Sequence, residues 1–220
     1  MIAWLAVAVL GIAVREAAAQ SAALATGRIE LSGGAAWLGS QAFGSADANE
    51  TTSTGTAFRL FSTSSELGSA AAFDARVGVR VAGTLVVEAD TSYARPELRI
   101  TTSSDVESAT GVTAVERLQQ YTIGGGATWY VPTASRVAPF VAGGGGYLRQ
   151  LHDRRLLVQT GRYYQFGGGA VYLLSSRSAG ALKATGLRVD LRATIFKDGV
   201  ALDGGTHATA AVAGSFLVRF

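Results

Sequence analysis

Apolar and polar residues alternate with period two along most of this chain. In the last fourteen residues, 207–220, every second position from Ala208 to Phe220 is apolar or small, and the positions between them include Thr209, Ser215 and Arg219. Only a β-strand puts alternate residues on opposite faces. A strand of this length can cross a bilayer core, for which ~9–11 tilted residues suffice. The segment therefore predicts a membrane-spanning strand.

Similar alternation or strand-like composition marks seven earlier segments, which are 28–38, 73–81, 85–93, 121–131, 139–150, 162–174 and 187–195. In order, the seven connections are long, short, long, short, moderate, moderate and long; the long ones are the polar segments 41–69, 96–114 and 198–206. Outer-membrane barrels have short periplasmic turns and longer outside loops. The pattern predicts an all-β fold, an eight-stranded antiparallel up-and-down transmembrane β-barrel, formed by one domain over residues 20–220.

The first residues have the composition of an export signal. Ile2–Val14 is an apolar run of thirteen residues, shorter than the ~20 that a spanning helix needs. Ala17-Ala18-Ala19 then offers the small residues of a cleavage site. No Lys or Arg precedes the run, which suggests that the natural start lies upstream. We predict a signal peptide over residues 1–19; the alternative is a buried core helix.

The composition favours a surface that does not meet water. Charged residues make up 16% of the chain, below the ~25% of soluble domains, and Lys occurs only at Lys183 and Lys197. The absence of Cys excludes disulfides and thiolate metal sites. The net charge of +3 is too small and scattered for a nucleic-acid-binding surface.

The polar faces of the predicted strands carry acids and arginines in equal number. Because a buried charge without a partner is very costly, we predict that these faces line a narrow lumen in which the charges pair. The predicted lumen network consists of Glu30, Asp74, Arg76, Arg80, Glu88, Asp90, Arg188, Asp190 and Arg192, with Arg219 directed inward or toward the periplasmic rim. The alternative is the solvated outer face of a soluble, exported, lipocalin-like carrier.

Aromatic residues cluster near the predicted strand ends. Such belts are typical of the two membrane interfaces. The predicted girdles contain Trp37, Phe73 and Tyr93 toward the long-loop side, and Trp129, Phe140 and Tyr172 toward the short-turn side.

Three motifs carry a resemblance to a known family: the Ala17-Ala18-Ala19 export signal, the run PFVAGGGGY at 139–147, and the terminal FLVRF at 216–220. With these the chain resembles the OmpA/OmpX-type eight-stranded outer-membrane β-barrels. The resemblance implies a location in the cell outer membrane and insertion by the barrel-assembly machinery, with Phe216, Val218 and Phe220 in the assembly-signal strand. Outer-membrane lipid and lipopolysaccharide are the expected partners of a monomer.

Candidate chemistry is sparse. Some eight-stranded barrels resemble lipid A deacylases, which use a His-x-Ser pair and a carboxylate, but this chain has His207-Ala208-Thr209. A metal site at His152 and Asp153 would lack the three or four ligands that binding requires. We therefore expect no catalytic, metal or cofactor site, and a lipid-modifying enzyme stays the alternative.

The expected role is structural or a surface interaction through the outer loops. Eight strands enclose an interior only wide enough for side chains, which argues against free transport. Binding residues concentrate on loops held by a rigid scaffold, and the segments 41–69 and 96–114 are long and polar. The ligand of these loops is unknown. Residues 58–61 (FRLF) are either an apolar anchor or the continuation of a strand above the membrane.

Overall fold

The computed structural model describes residues 27–103, 110–133, 135–152, 157–177, 179–200 and 205–220. Within them lie eleven β-strands: β1 (Ile29–Leu38), β2 (Gln41–Thr51), β3 (Ala57–Leu67), β4 (Ala70–Ala82), β5 (Leu85–Ala94), β6 (Glu97–Ser103), β7 (Val112–Tyr130), β8 (Val137–His152), β9 (Val158–Ser176), β10 (Ala184–Asp198) and β11 (Thr206–Arg219). The predicted signal peptide, residues 1–19, lies outside the described residues. No helix in the described part of the chain is long and apolar enough to cross a membrane.

Eight strands close into a ring. Antiparallel pairing runs in the order β4, β1, β11, β10, β9, β8, β7 and β5, and β5 pairs back with β4. The first and last strands are neighbours, with Glu30 opposite Arg219 and Leu38 opposite Ala211. The predicted all-β, eight-stranded antiparallel barrel is confirmed.

Two segments predicted to be polar loops are instead β-structure. Within segment 41–69, β2 and β3 form a hairpin, and β6 lies within segment 96–114. The strands β2, β3 and β6 join the first residues of β7 in a second sheet, which we call the outer sheet. The loop prediction was wrong because these strands are rich in Ser and Thr and exposed on most positions, so apolar alternation does not mark them. Residues 58–61 lie in β3, which agrees with the strand interpretation.

The strand alternation separates an apolar outer wall from a charged interior. In β4, Phe73, Val77, Val79 and Val81 are exposed, whereas Asp74, Arg76 and Arg80 are buried. The same outward pattern recurs around the ring at Ile123, Trp129, Val141, Phe166, Leu187, Val189, Leu191, Val212 and Phe216. An apolar band of this extent faces lipid, since soluble monomers rarely expose apolar patches beyond a few hundred Å².

Glycines in β7 and β8 let neighbouring groups approach the backbone closely. A methyl group added to Gly124 would collide with the Tyr163 hydroxyl group and with the Gly145 carbonyl oxygen. Only Gly leaves this space, and Tyr163 fills it from β9. The glycine runs thus serve packing.

Candidate functional site: barrel lumen and outer sheet

At the short-turn end of the barrel, one carboxylate connects three strands. The Glu30 carboxylate on β1 accepts a hydrogen bond from Arg80 Nη2 on β4 at 2.5 Å and lies 3.1 Å from Arg219 Nε on β11. The Tyr130 hydroxyl donates to the same carboxylate at 2.9 Å. The guanidinium groups of Arg80 and Arg219 lie 5.6 and 5.1 Å from the centre of the Tyr130 ring. This cluster holds the seam between the first and last strands.

Arg188 is the centre of the next group of charges. Its Nη1 donates to Glu88 at 3.1 Å, and its Nε and Nη2 donate to Asp190 at 3.2 Å. The Thr128 hydroxyl donates to Glu88 at 2.7 Å. The guanidinium also lies 4.4 Å from the centre of the Phe140 ring. Arg188 is 2% exposed, and it shares the charge compensation of its two acids with Arg76, whose Nη1 lies 3.5 Å from Glu88 and 3.3 Å from Asp190.

Arg76 and Arg192 extend the network across the lumen through Asp74. Arg76 Nε donates to Asp74 at 3.1 Å and its Nη1 donates to Asp190 at 3.3 Å. Arg192 Nη2 donates to the other Asp74 oxygen at 3.1 Å, and its Nη1 donates to Gln165 at 3.2 Å. The network therefore joins β4, β5, β9 and β10 by charge-assisted bonds, which are roughly twice as strong as neutral ones.

Asp90 differs from the other lumen acids. Its carboxylate accepts a hydrogen bond from the Tyr163 hydroxyl at 2.7 Å, and among the described residues no ion pair joins it to an arginine. Asp90 and Tyr163 both line an interior cavity of about 30 Å³, and Arg192 reaches the same cavity. A polar cavity of this size has room for a water molecule but not for a larger solute.

Apolar layers cover the charged middle of the lumen on both sides. Toward the short turns the layer consists of Val86, Tyr130, Ala138, Phe140, Val171, Leu173, Ala184 and Leu217. Toward the outer end it consists of Phe43, Leu67, Leu98, Leu118 and Val200, four of which belong to the outer sheet or its junction with the barrel. Gln150 donates to Gln120 below that outer layer at 2.9 Å. The lumen is thus filled with side chains.

Five of the six predicted girdle aromatics lie on the outer wall or its edge. Trp37, Phe73, Trp129 and Tyr172 are exposed, and Tyr93 is half-buried against Tyr121, with ring centroids 4.8 Å apart. Phe140 is the exception, because it is 3% exposed and packs inside the barrel. Its neighbour Val141 faces outward, and alternation then turns Phe140 inward. The Phe140 prediction was wrong for that reason.

The lumen also contains residues that the sequence interpretation left out, chiefly Tyr130, Tyr163, Thr128 and Gln165. Alternation places Tyr130 beside outward Trp129 and Tyr163 beside outward Tyr164, so the signal was present in the sequence. The predicted assembly-signal strand is β11, in which Phe216 is exposed and Val218 is half-buried, and Phe220, also exposed, directly follows it.

Within the described ranges, one histidine lies beside a carboxylate and the other packs against an aromatic ring. His152 Nδ1 lies 2.8 Å from Glu116 Oε2, and the His207 ring packs edge-on against Phe43 at 5.1 Å between centroids. The Thr209 hydroxyl donates to the Gly39 carbonyl oxygen at 2.9 Å. No group of three or more metal-ligating side chains occurs in the described ranges, and Asp153 lies outside them.

The outer sheet carries charges that meet water. Arg59 and Asp47 form an ion pair of 3.5 Å between β3 and β2, and Arg99 lies 3.4 Å from Glu97 on β6. Thr101 and Thr113 form a hydroxyl–hydroxyl hydrogen bond of 3.1 Å across β6 and β7. This polar surface stands above the barrel and continues its strands.

Comparisons with known proteins give a fold and no sequence relative. No protein-family model matches the chain, and no curated protein matches it. Among solved structures, Neisserial surface protein A is similar with a TM-score of 0.53 and 14% identity, over 87% of this chain and 97% of that one. The outer-membrane protein OprG from Pseudomonas aeruginosa is similar with a TM-score of 0.50 and 13% identity, over 88% and 96%.

These neighbours are eight-stranded barrels of the OmpA/OmpX-like type. The eight-strand ring and the apolar outer wall agree with that likeness, and the wall argues against a soluble lipocalin-like carrier. The chain therefore has the fold of the OmpA/OmpX-type outer-membrane β-barrels, and its apolar outer wall fits a barrel that spans a membrane.

Proposed function

We propose that the protein is a closed barrel with a structural or surface-interaction role exerted through its outer sheet, and that it catalyses no reaction. One observation carries the proposal: the lumen is filled, while the strands continue beyond the barrel as a four-stranded sheet. A filled lumen supports an anchoring role rather than conduction. A polar sheet on a rigid base has the form of a binding platform.

The geometry gives the enzyme alternative little support. A nucleophilic hydroxyl needs a base within hydrogen-bond reach, and the Thr209 hydroxyl is engaged with a backbone carbonyl instead. Overproduction should therefore leave the acylation of lipid A unchanged in mass spectra. A lost or added acyl chain would contradict the absence of catalysis.

A deletion strain complemented by two versions of the gene tests the proposal. One version encodes the full chain, and the other replaces residues 44–64 of the β2–β3 hairpin with a short turn. If the role is a surface interaction, only the full chain restores adhesion of cells to protein-coated surfaces. If the role is structural, both versions restore resistance of the outer membrane to detergent. Failure of the full chain in both assays would refute the proposal.

The closed lumen has its own measurement. The purified protein in planar bilayers should show no steady ion conductance, because the charged middle is covered by apolar layers at both ends. A stable open channel would overturn the anchoring role. We also propose that the barrel-assembly machinery binds β11, with Phe216 and Val218, together with the following Phe220, and that the protein is a monomer.

A further inference from the structure

Four cationic residues directly adjoin strand ends at the short-turn end of the barrel. Arg28 precedes β1, Arg136 precedes β8, Arg177 follows β9 and Lys183 precedes β10. The strands β1, β11, β10, β9 and β8 are consecutive in the ring. The four residues, which we call the basal cations, therefore lie along one half of the base of the barrel.

The charge of this end has one sign. Six cationic side chains and one acidic side chain, a net side-chain charge of +5, occur in its strand ends and turns, which are residues 27–31, 79–86, 129–138, 173–185 and 217–220. The one acid is Glu30, and its carboxylate already contacts Arg80 and Arg219. It therefore does not compensate the charge of the basal cations.

The outer end of the molecule differs in this respect. There, acids and arginines are mixed and contact each other, as Arg59 and Asp47 do. At the base, Arg28, Arg136 and Arg177 are exposed, and within the described residues their side chains form no ion pair. Their charge is thus available to an anionic partner.

Two of the basal cations lie on the lumen face of their strands. The Arg80 amide donates to the Arg28 carbonyl oxygen at 2.8 Å, and the Leu173 amide donates to the Arg136 carbonyl oxygen at 2.9 Å. Arg80 and Leu173 are buried in the lumen, and residues directly opposite each other on antiparallel strands share a face. Arg28 and Arg136 therefore lie beneath the lumen, on strands that are four steps apart in the ring of eight.

The other two basal cations are opposite each other on the outward face. The Arg177 amide donates to the Lys183 carbonyl oxygen at 2.7 Å, next to the pair of Ser176 and Ala184. Ala184 is buried in the interior, so alternation places Arg177 and Lys183 on the outward face. Like charges directly opposite each other destabilise a sheet, and a bound anion would reduce that repulsion.

The space beneath the lumen suits an occupant that lies across it. Tyr130 and Leu217 of the apolar layer are fully buried, so the lumen is closed from below. Four strand steps of about 4.8 Å separate β1 from β8, about 19 Å along the ring, which about six extended residues of a polypeptide cover at ~3.3 Å each. One phosphate group is too small to contact both Arg28 and Arg136. Headgroups of the surrounding lipid meet the outward cations, because the bilayer lies outside the ring.

We propose that the base of the barrel binds an acidic, extended segment of a periplasmic protein. Carboxylates near the two ends of the segment bind Arg28 and Arg136, and a further carboxylate binds Arg177. Arginine and carboxylate groups form bidentate charge-assisted hydrogen bonds. The short turns of outer-membrane barrels face the periplasm, so the partner is a periplasmic one. This site lies at the opposite end from the outer sheet and does not depend on the role of that sheet.

Binding of an acidic peptide to the refolded full chain in neutral detergent micelles tests the proposal. The probe is a dye-labelled peptide of about twelve residues with Glu at alternate positions, and fluorescence anisotropy is the measurement. Arg28→Gln combined with Arg136→Gln should lower the affinity about tenfold or more. Arg149→Gln combined with Arg162→Gln, which removes the same charge from exposed positions at the outer end, is the matched control and should lower it less than about twofold. Equal losses would overturn the proposal, because they would indicate unspecific charge attraction.

The chemistry of the occupant has its own controls. The same peptide with Gln in place of Glu should bind about tenfold more weakly or worse, and equal binding would overturn the acidic assignment. Displacement of the acidic peptide by phosphatidylglycerol in the micelles, or by soluble peptidoglycan fragments, at a similar concentration would overturn the protein partner in favour of lipid or cell wall.

The position of the segment is tested by the outward pair. Arg177→Gln combined with Lys183→Gln should weaken binding by about two- to fourfold, because one carboxylate contact is lost. A loss larger than that of the variant at Arg28 and Arg136 would overturn the placement across the base.

Folding and independence from the outer sheet are both controlled. If the variant at Arg28 and Arg136 does not refold, each single substitution should still weaken binding by about threefold, and two unchanged single variants would refute the site. The chain with the shortened β2–β3 hairpin keeps the basal cations and should bind the peptide normally. The basal site and the role of the outer sheet can thus fail separately.

Discussion

Arginine–aspartate ion pairs occur in two regions of this molecule, inside the barrel and on the outer sheet. The side chains of Arg188 and Asp190 are 1% and 2% exposed, whereas those of Arg59 and Asp47 are 50% and 43% exposed. The N–O distances are similar, at 3.2 and 3.5 Å. The N–O distance therefore does not distinguish the two pairs, and burial decides how much each contributes to stability. Inside the barrel, removal of one partner leaves the other charge buried without a partner. On the outer sheet, water solvates the charge that remains.

The largest effect is expected at the centre of the lumen. Arg188→Ala should lower the free energy of unfolding by about 3–5 kcal/mol, because in a buried site two acids, Glu88 and Asp190, are then left with Arg76 as the one cation between them. Arg192→Ala should act in the same direction through Asp74. Urea unfolding in detergent micelles, followed by tryptophan fluorescence, measures both. Arg162→Ala on the outer wall is the matched control and should shift stability by about 0.5 kcal/mol or less. Unchanged unfolding in both lumen variants would refute the assignment of the inward face.

The next effect is expected at the seam between the first and last strands. Glu30→Gln should destabilise by about 1.5–3 kcal/mol, since Arg80 and Arg219 lose a shared negative charge while the amide keeps the shape and one acceptor. The same urea titration detects the loss. Glu50→Gln on exposed β2 is the control. A seam variant as stable as this control would show that the tyrosine and arginine contacts suffice.

A smaller effect is expected at Asp90. Tyr163→Phe removes the hydroxyl that donates to the carboxylate and should cost about 1 kcal/mol, because the neighbouring cavity admits a water that can replace the donor. Tyr164→Phe, whose ring faces outward, serves as the control. A loss above that of Arg188→Ala would contradict the view that Asp90 relies on a single neutral partner.

The smallest effect is expected on the outer sheet. Arg59→Ala should change stability by no more than about 0.5 kcal/mol, because the Arg59–Asp47 pair is half in water. High salt should abolish even that difference by screening. If this loss equalled that of Arg188→Ala, burial would not be the deciding variable.

The ring could be predicted from sequence because its strands lie between two different environments. Lipid on one side and paired charges on the other force strict alternation, so each ring strand is readable from a short window, as at 73–81. The outer sheet faces water on most positions, and Ser-rich strands such as β3 have no such contrast. Their pairing depends on contacts between distant segments, which a local pattern does not contain.

The lumen residues could likewise be predicted only as far as a local pattern marks them. Inward charges such as Arg188 and Asp74 were readable by alternation, whereas their partners were not, because pairing crosses the lumen between strands far apart in sequence. Phe140 was assigned to the outer wall because it lies near a strand end. Its place next to outward Val141 in the alternation indicates the opposite face. Asp90 shows the same limit, since nothing local reveals that Tyr163 rather than an arginine supplies its donor.

The pairing of β1 with β11 also bears on the order of events during folding. These strands stand at opposite ends of the described chain, so their contact has the greatest sequence separation that the topology permits. Closing so long a loop costs chain entropy before any contact rewards it, and folds dominated by distant contacts form slowly. Until β11 pairs with β1, the edge of β1 has unpaired backbone groups that can pair with a second chain. Completion of the cylinder is therefore the expected late step, and partly assembled chains are the species most prone to aggregate.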